Sequence, residues 1–133
     1  QANGALYLFI QDSIEWLDHA KGAIANFHIV FMIQLSFHLG FMPNIESGMS
    51  GDYFDLVDGC FAAHVPSHVH YLNKEDSMRL VSLFRLDYKT MHLYTMSRIE
   101  RNRCVEVILE YYKLHLPDFP EMKSFSVLQE LFA

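Results

Sequence analysis

Apolar residues along the first forty positions recur at helical spacing. Leu6, Ile10, Ile14 and Leu17 fall on one side of a helix with Gln11, Glu15 and Asp18 opposite, which predicts an amphipathic first helix ending near Lys21-Gly22. From 23 to 39, Ile24, Phe27, Phe31 and Leu35 keep the period while Val30, Met32, Ile33 and Phe37 cover much of the other face, so this second helix is expected to be central and buried. Gly40 is placed for a left-handed C-terminal cap, Phe41 to pack back, and Pro43 to forbid continuation. The Asn, Ser and Gly of residues 43–52 then give way to two short apolar runs, 53–56 and 60–63. These flank Val57-Asp58-Gly59, where Asp-Gly favours a tight hairpin turn.

Residues 64–70 contain Pro66 and read as an irregular connection. Asn73 is a cap for a helix from 74 to about 86, with Leu80, Val81 and Phe84 inward. No single period wins over 87–96, and that segment stays open between a short helix and a packed loop. Ser97-Arg98-Ile99-Glu100 has the capping-box order and opens the clearest helix, striped by Cys104, Val105, Ile108, Leu109, Tyr112 and Leu116 toward Pro117. Val127, Leu128 and Leu131 suit a short terminal helix from about Ser124. The fold expected is mainly α: a helical bundle of about five helices with a small β-hairpin inserted after the second.

With 133 residues there is room for one domain with a sizeable core. A hydrophobic share of 51% against 20% charged argues against extensive disorder. The longest apolar run, Ile29 to Ile33, is far short of the roughly 20 residues of a membrane span, and no signal-peptide pattern opens the chain. Cys60 and Cys104 form no framework, which fits a reducing compartment. Helical periodicity begins almost at once, so an N-terminal portion is expected to precede it.

The candidate chemistry is sparse. Cys60, His64, His68 and His70 offer zinc-type ligands, but their spacing fits no standard site, and ordinary polar or packing roles are the better reading. Asp52, Asp55 and Asp58 lack the ligand alternation of a calcium loop. Nothing near either cysteine identifies a base or an oxyanion hole, and the 6 glycines form no phosphate loop. No catalytic residue, metal or cofactor is therefore expected.

The net charge of -6 hides an asymmetry, because residues 1–72 hold one basic residue, Lys21. Within 79–113 the seven cations Arg79, Arg85, Lys89, Arg98, Arg101, Arg103 and Lys113 face the four acids Asp87, Glu100, Glu106 and Glu110. Arg98 and Arg101 stand in the first turns of a helix, where the macrodipole favours acids, and a local rule broken in this way marks a candidate anion site. Tyr88, His92 and Tyr94 are interleaved with the charges and would add stacking or an apolar pocket. The competing reading is a solvated face, with Arg103 paired to Glu106 and Lys113 to Glu110.

Several motifs taken in order carry a resemblance: Leu39-Gly40-Phe41-Met42-Pro43, the run from Phe54 to Phe61, the run from Ser97 to Cys104, and the closing stretch from His115 to Ser124. Together they resemble the C-terminal helical domain of the RecO family of bacterial DNA repair proteins, in its Bacteroidetes-type form. The resemblance implies a preceding OB-fold domain, a cytoplasmic, nucleoid-associated protein, and no enzymatic activity. It implies work with RecR in loading the recombinase RecA onto strands coated by single-strand-binding protein, and in annealing strands. The implied partners are single- and double-stranded DNA, RecR, the acidic apolar tail of single-strand-binding protein and, indirectly, RecA; no membrane is involved. Many relatives carry a four-cysteine zinc site in the region matching residues 47–65. Here only Cys60 remains, so the hairpin is expected to fold without zinc. Leu39, Gly40, Phe41, Pro43, His115, Leu116 and Pro117 look like capping and packing positions, so the resemblance transfers no binding residue. The basic region with Tyr88 and Tyr94 is then the expected contact surface for DNA or the partner tail.

Overall fold

A computed structural model describes residues 2–46 and 52–116. Four helices, α1 (Ala2–His19), α2 (Phe27–Leu39), α3 (Lys74–Phe84) and α4 (Arg98–His115), enclose strands β1 (Tyr53–Asp55), β2 (Cys60–Ala62) and β3 (Tyr71–Leu72), inserted after α2. A single 3-10 turn, Met91–Leu93, lies in the connection between α3 and α4. The expected terminal helix and the Pro117 to Pro120 turn lie outside the described residues. No described helix is long and apolar enough to cross a membrane.

Local chemistry sets most boundaries. Gly40 ends α2 at φ 90°, and the N–H of Phe41 reaches back to the Ser36 carbonyl at 3.0 Å. Asn73 caps α3 by accepting the Asp76 N–H at 2.8 Å. Ser97 and Glu100 close the reciprocal box that starts α4. The hairpin turn spans residues 56–59 and rests on Gly59 at φ 70°. The Asp55 carboxylate fastens that turn by accepting the N–H groups of Val57 and Asp58.

Four readings need correction. The second helix begins at Phe27 rather than Ala23, because Asn26 is buried and its side chain is committed elsewhere. Residues 64–70 are irregular as expected, but they lead into β3, which pairs antiparallel to β1 and extends the expected hairpin to a three-stranded sheet in the order β2-β1-β3. Ile14 is 56% exposed, and the inner stripe of α1 keeps Leu6 and Leu17 but adds Phe9, Ser13 and Trp16. On α3 the fully buried apolar positions are Leu80 and Leu83, with Val81 only half-buried.

Ile29, Met32, Ile33 and Leu35 of α2 pack against Leu83, Met96 and the Cys104, Val105, Ile108 and Tyr112 stripe of α4. The sheet brings Phe54, Leu56 and Leu72 onto Leu80, Val107 and Tyr111. Ser77 ties the two parts together, its hydroxyl accepting the Phe54 N–H at 3.0 Å and donating to the Leu72 carbonyl at 3.2 Å.

Candidate functional site

The nine basic-region residues do not form one surface. Helices α3 and α4 run antiparallel, and their contact is lined by charge. Arg79 meets Glu75 at 3.6 Å, Asp76 at 3.3 Å and Glu100 at 3.4 Å. Arg103 meets Asp76 at 3.1 Å and Glu106 at 3.8 Å. Glu100 is held below the usual carboxylate range, mainly by accepting the Ser97 N–H, then by the Ser97 hydroxyl and the Arg79 charge. Both arginines are therefore largely neutralised across this seam.

Arg101 turns inward. Its Nε donates to Asn26 Oδ1 and its Nη2 to the Met96 carbonyl, both at 3.3 Å. Asn26, only 5% exposed, donates its Nδ2 to the carbonyls of Met91 and Tyr94 at 3.0 and 2.9 Å. Arg101 and Asn26 thus lash the 91–96 connection to the start of α2 and to α4, satisfying carbonyls that would otherwise be stranded. Beside them His28 is buried, and burial first, then the Arg101 charge, lowers its pKa from 6.5 to about 4.

Tyr88 is half-buried, stacked on Trp16 at 5.0 Å and on Phe27 at 4.9 Å, with its hydroxyl donating to Ser13 Oγ at 2.8 Å. It bolts α1 onto the connection that follows α3. Burial pushes its phenol above the usual range against the opposing Ser13 bond, so it is a neutral donor. Tyr94 is half-buried against the main core. The remaining cations, Arg85, Lys89, Arg98 and Lys113, are exposed, and no carboxylate among the described residues forms an ion pair with them. Because Asp76 lies against Arg103 and Arg79 against Glu100, the end of α3 with Arg85 and the start of α4 with Arg98 come to the same end of the helix pair. Lys113 sits in the last turn of α4, about 22 Å along the helix from Arg98.

An open groove of about 530 Å³ lies between the tail of α1 and the 88–92 segment of the connection between α3 and α4. Trp16 and Tyr88 wall it, and Lys21, Lys89 and His92 line it. Trp16 lies outside the apolar stripe expected of α1, and Lys21 stands out in the sequence only as the lone cation of residues 1–72. The available signal was Trp16 at helical spacing from Phe9 and Ser13. A second open groove, of about 500 Å³, shares Trp16 and Tyr88 and runs the other way between α1 and α2.

Two of the candidate metal ligands, His68 and His70, are engaged by carboxylates. His68 Nε2 meets Asp55 Oδ2 at 3.1 Å, and its Nδ1 accepts the His70 N–H at 3.0 Å, which fixes the proton on Nε2. His70 Nδ1 meets Glu110 Oε2 at 2.9 Å, so Glu110 serves His70 rather than Lys113. Burial raises the Asp55 pKa, but the Asp58 N–H, His68 and the Val57 N–H together bring it below the usual value. Among the described residues no three His, Cys, Asp or Glu side chains gather as a metal site. Cys104 is buried, and burial pushes its thiol up to about 11, against the helping charge of Arg79, which makes it a poor nucleophile.

Residues 1–124 match the family model described as the C-terminal part of recombination protein O. The chain is 47% identical over 131 residues to a DNA repair protein RecO of Phocaeicola vulgatus, an alignment covering 98% of this chain and 54% of the relative. It is 48% identical to one of Bacteroides fragilis, with the same coverage, and 34% identical to one of Porphyromonas gingivalis, covering 99% of this chain and 55% of that relative. The chain thus spans about half the length of the curated relatives it matches. No solved structure matches it. A family match over nearly the whole chain, with its capping motifs standing where the fold uses them, makes this chain a member of the RecO family, matching its C-terminal part.

Proposed function

We propose that this chain is the docking half of a non-enzymatic DNA repair and recombination mediator, acting beside an N-terminal OB-fold domain. In this reading it helps load RecA on single-stranded DNA and anneal strands through contacts with DNA, RecR and the tail of single-strand-binding protein. The anion-receiving surface is the groove of Lys21, Lys89 and His92 against Trp16 and Tyr88, with Arg85 and Arg98, which flank the connection that carries Lys89, as further exposed cations. The observation that supports it most is the pairing of exposed, unbridged cations with an aromatic wall. Phosphates or tail carboxylates meet the lysines while a base or an apolar side chain lies on the rings. Arg79 and Arg103 support the scaffold beneath, and Arg101 positions the connection that carries Lys89.

The test is binding of single-stranded DNA and of an acidic, apolar-ended tail peptide to a Lys21→Glu/Lys89→Glu variant across several salt concentrations. About a tenfold loss for either ligand, with a shallower salt dependence, is expected. Unchanged affinities for both would remove the groove from the account. Folding should be unaffected, since both lysines are exposed.

A second reading, a purely structural and protein-interaction domain with DNA bound by the OB-fold alone, draws support from the net charge of -6 and the neutralised Arg79 and Arg103. On that reading this chain binds the tail peptide but shows almost no DNA affinity at any salt concentration, whereas a longer protein carrying the OB-fold does.

A further inference from the structure

The second groove points to a different occupant. It lies between α1 and α2, with Leu8, Phe9 and Trp16 on one wall and Gln34 and His38 on the other. Its apolar surface is real: Leu8 is 56% exposed, and Phe9 is held between Phe31 at 5.4 Å and the His38 ring at 4.5 Å. Rings immobilised in this way offer contact area at little further entropic cost.

Its charge is the reverse of its neighbour's. Asp12 lines the groove. Helical spacing places Ala5, Leu8, Asp12 and Glu15 in successive turns along one side of α1, so Glu15 continues the acidic edge. Helix α1 carries Asp12, Glu15 and Asp18 and no Lys or Arg, and no described cation forms an ion pair with Asp12 or Glu15. A DNA phosphate would be repelled there, and so would an acidic tail. A protein segment bearing Lys or Arg beside bulky apolar side chains satisfies both the walls and the edge.

We propose that the α1–α2 groove docks a cationic, apolar segment of a protein partner, with its apolar side chains on Leu8, Phe9 and Trp16 and its cation at Asp12. This goes beyond the anion groove and is separable from it. The two sites share the Trp16 and Tyr88 wall, so the molecule presents one aromatic pair to two partners of opposite charge.

Trp16 is the sole tryptophan, so its emission reports the wall that the two grooves share. A short amphipathic Leu/Lys peptide is titrated onto the chain and onto its Lys21→Glu/Lys89→Glu variant, and its Leu/Glu counterpart is the contrast in that variant, where the neighbouring anion groove no longer draws an acidic peptide. The Leu/Lys peptide is expected to shift Trp16 emission to the blue. Asp12→Lys should weaken it about tenfold and Asp12→Asn about threefold, while Asp58→Lys, which makes the same change in net charge on the exposed hairpin turn, should leave it within about twofold. Lys21→Glu/Lys89→Glu should not weaken it, and Asp12→Lys should not weaken anion binding in the other groove, so the two sites fail independently. The proposal is overturned by an unmoved Trp16 signal, by equal binding of the Leu/Glu peptide to the Lys21→Glu/Lys89→Glu protein, or by equal losses from Asp12→Lys and Asp58→Lys. A self-association that shifts Trp16 without peptide would assign the groove to a second copy and overturn it as well.

Discussion

Two sets of cations separated by only a few residues in sequence behave in opposite ways. Arg79 and Arg103, on the facing flanks of α3 and α4, are gripped by Glu75, Asp76, Glu100 and Glu106. Arg85, Lys89 and Arg98, where α3 ends and α4 begins, form no ion pair with a described carboxylate. The difference lies in position rather than residue type. Cations along a helix–helix seam meet the partner helix's acids, whereas cations at helix ends and on the connection project past the seam. Seam charges in this fold join two helices, and end charges are left exposed.

The strongest way to break this contrast is to loosen the free end itself. Asn26→Ala removes the donor to the Met91 and Tyr94 carbonyls and the acceptor for Arg101, stranding buried polar groups. A loss of about 2–3 kcal/mol, or a melting midpoint lower by about 10 °C, is expected. Anion binding should weaken too, although Asn26 touches no ligand, because the connection carrying Lys89 and His92 loses its tether. Full anion affinity in a destabilised Asn26→Ala protein would show that the groove does not depend on that tether.

A pH measurement probes the same end with a smaller effect. His28 is folded with a pKa of about 4 against an ordinary 6.5, so the fold holds it neutral while the unfolded chain accepts a proton below pH 6.5. Its contribution is complete above 6.5 and is lost progressively as the pH falls toward 4. Denaturant midpoints taken at pH 7 and pH 5 should therefore drop more for the native chain than for His28→Leu. Parallel curves would mean that His28 is not held neutral by its burial beside Arg101.

Features governed by neighbours in sequence were readable from it. Gly40, Asn73 and the Ser97–Glu100 box each sit where their caps were expected, and Asp58-Gly59 turns the hairpin. Features governed by distant partners were not. Residues 71–72 are too short to show a period, and they become β3 only because β1 offers an edge. Asn26 falls inside the span expected for the second helix, yet its amide answers carbonyls 65 and 68 residues away. The charge count over 79–113 left out Glu75 and Asp76, which lie just before that window: both meet Arg79 along α3 itself, and Asp76 also reaches Arg103 across the fold. The groove itself joins Trp16 to Tyr88 across 72 residues, and nothing local announces it.

The mildest prediction sharpens the contrast most. Arg79→Ala and Arg103→Ala each remove a surface-seam cation whose ion pairs are partly solvated, so each should cost no more than about 1 kcal/mol in urea denaturation. The pair changed together should lose less than the sum of the two, since both arginines lean on Asp76 and the second removal finds that carboxylate already half released. Affinity for single-stranded DNA or an acidic peptide should stay within about twofold, because these charges were already cancelled before any ligand arrived. A loss comparable to that of Lys21→Glu/Lys89→Glu would mean that incoming phosphates outcompete Asp76 and Glu100 for the guanidinium groups. The seam would then be part of the binding surface, and the division between seam charges and end charges would fail.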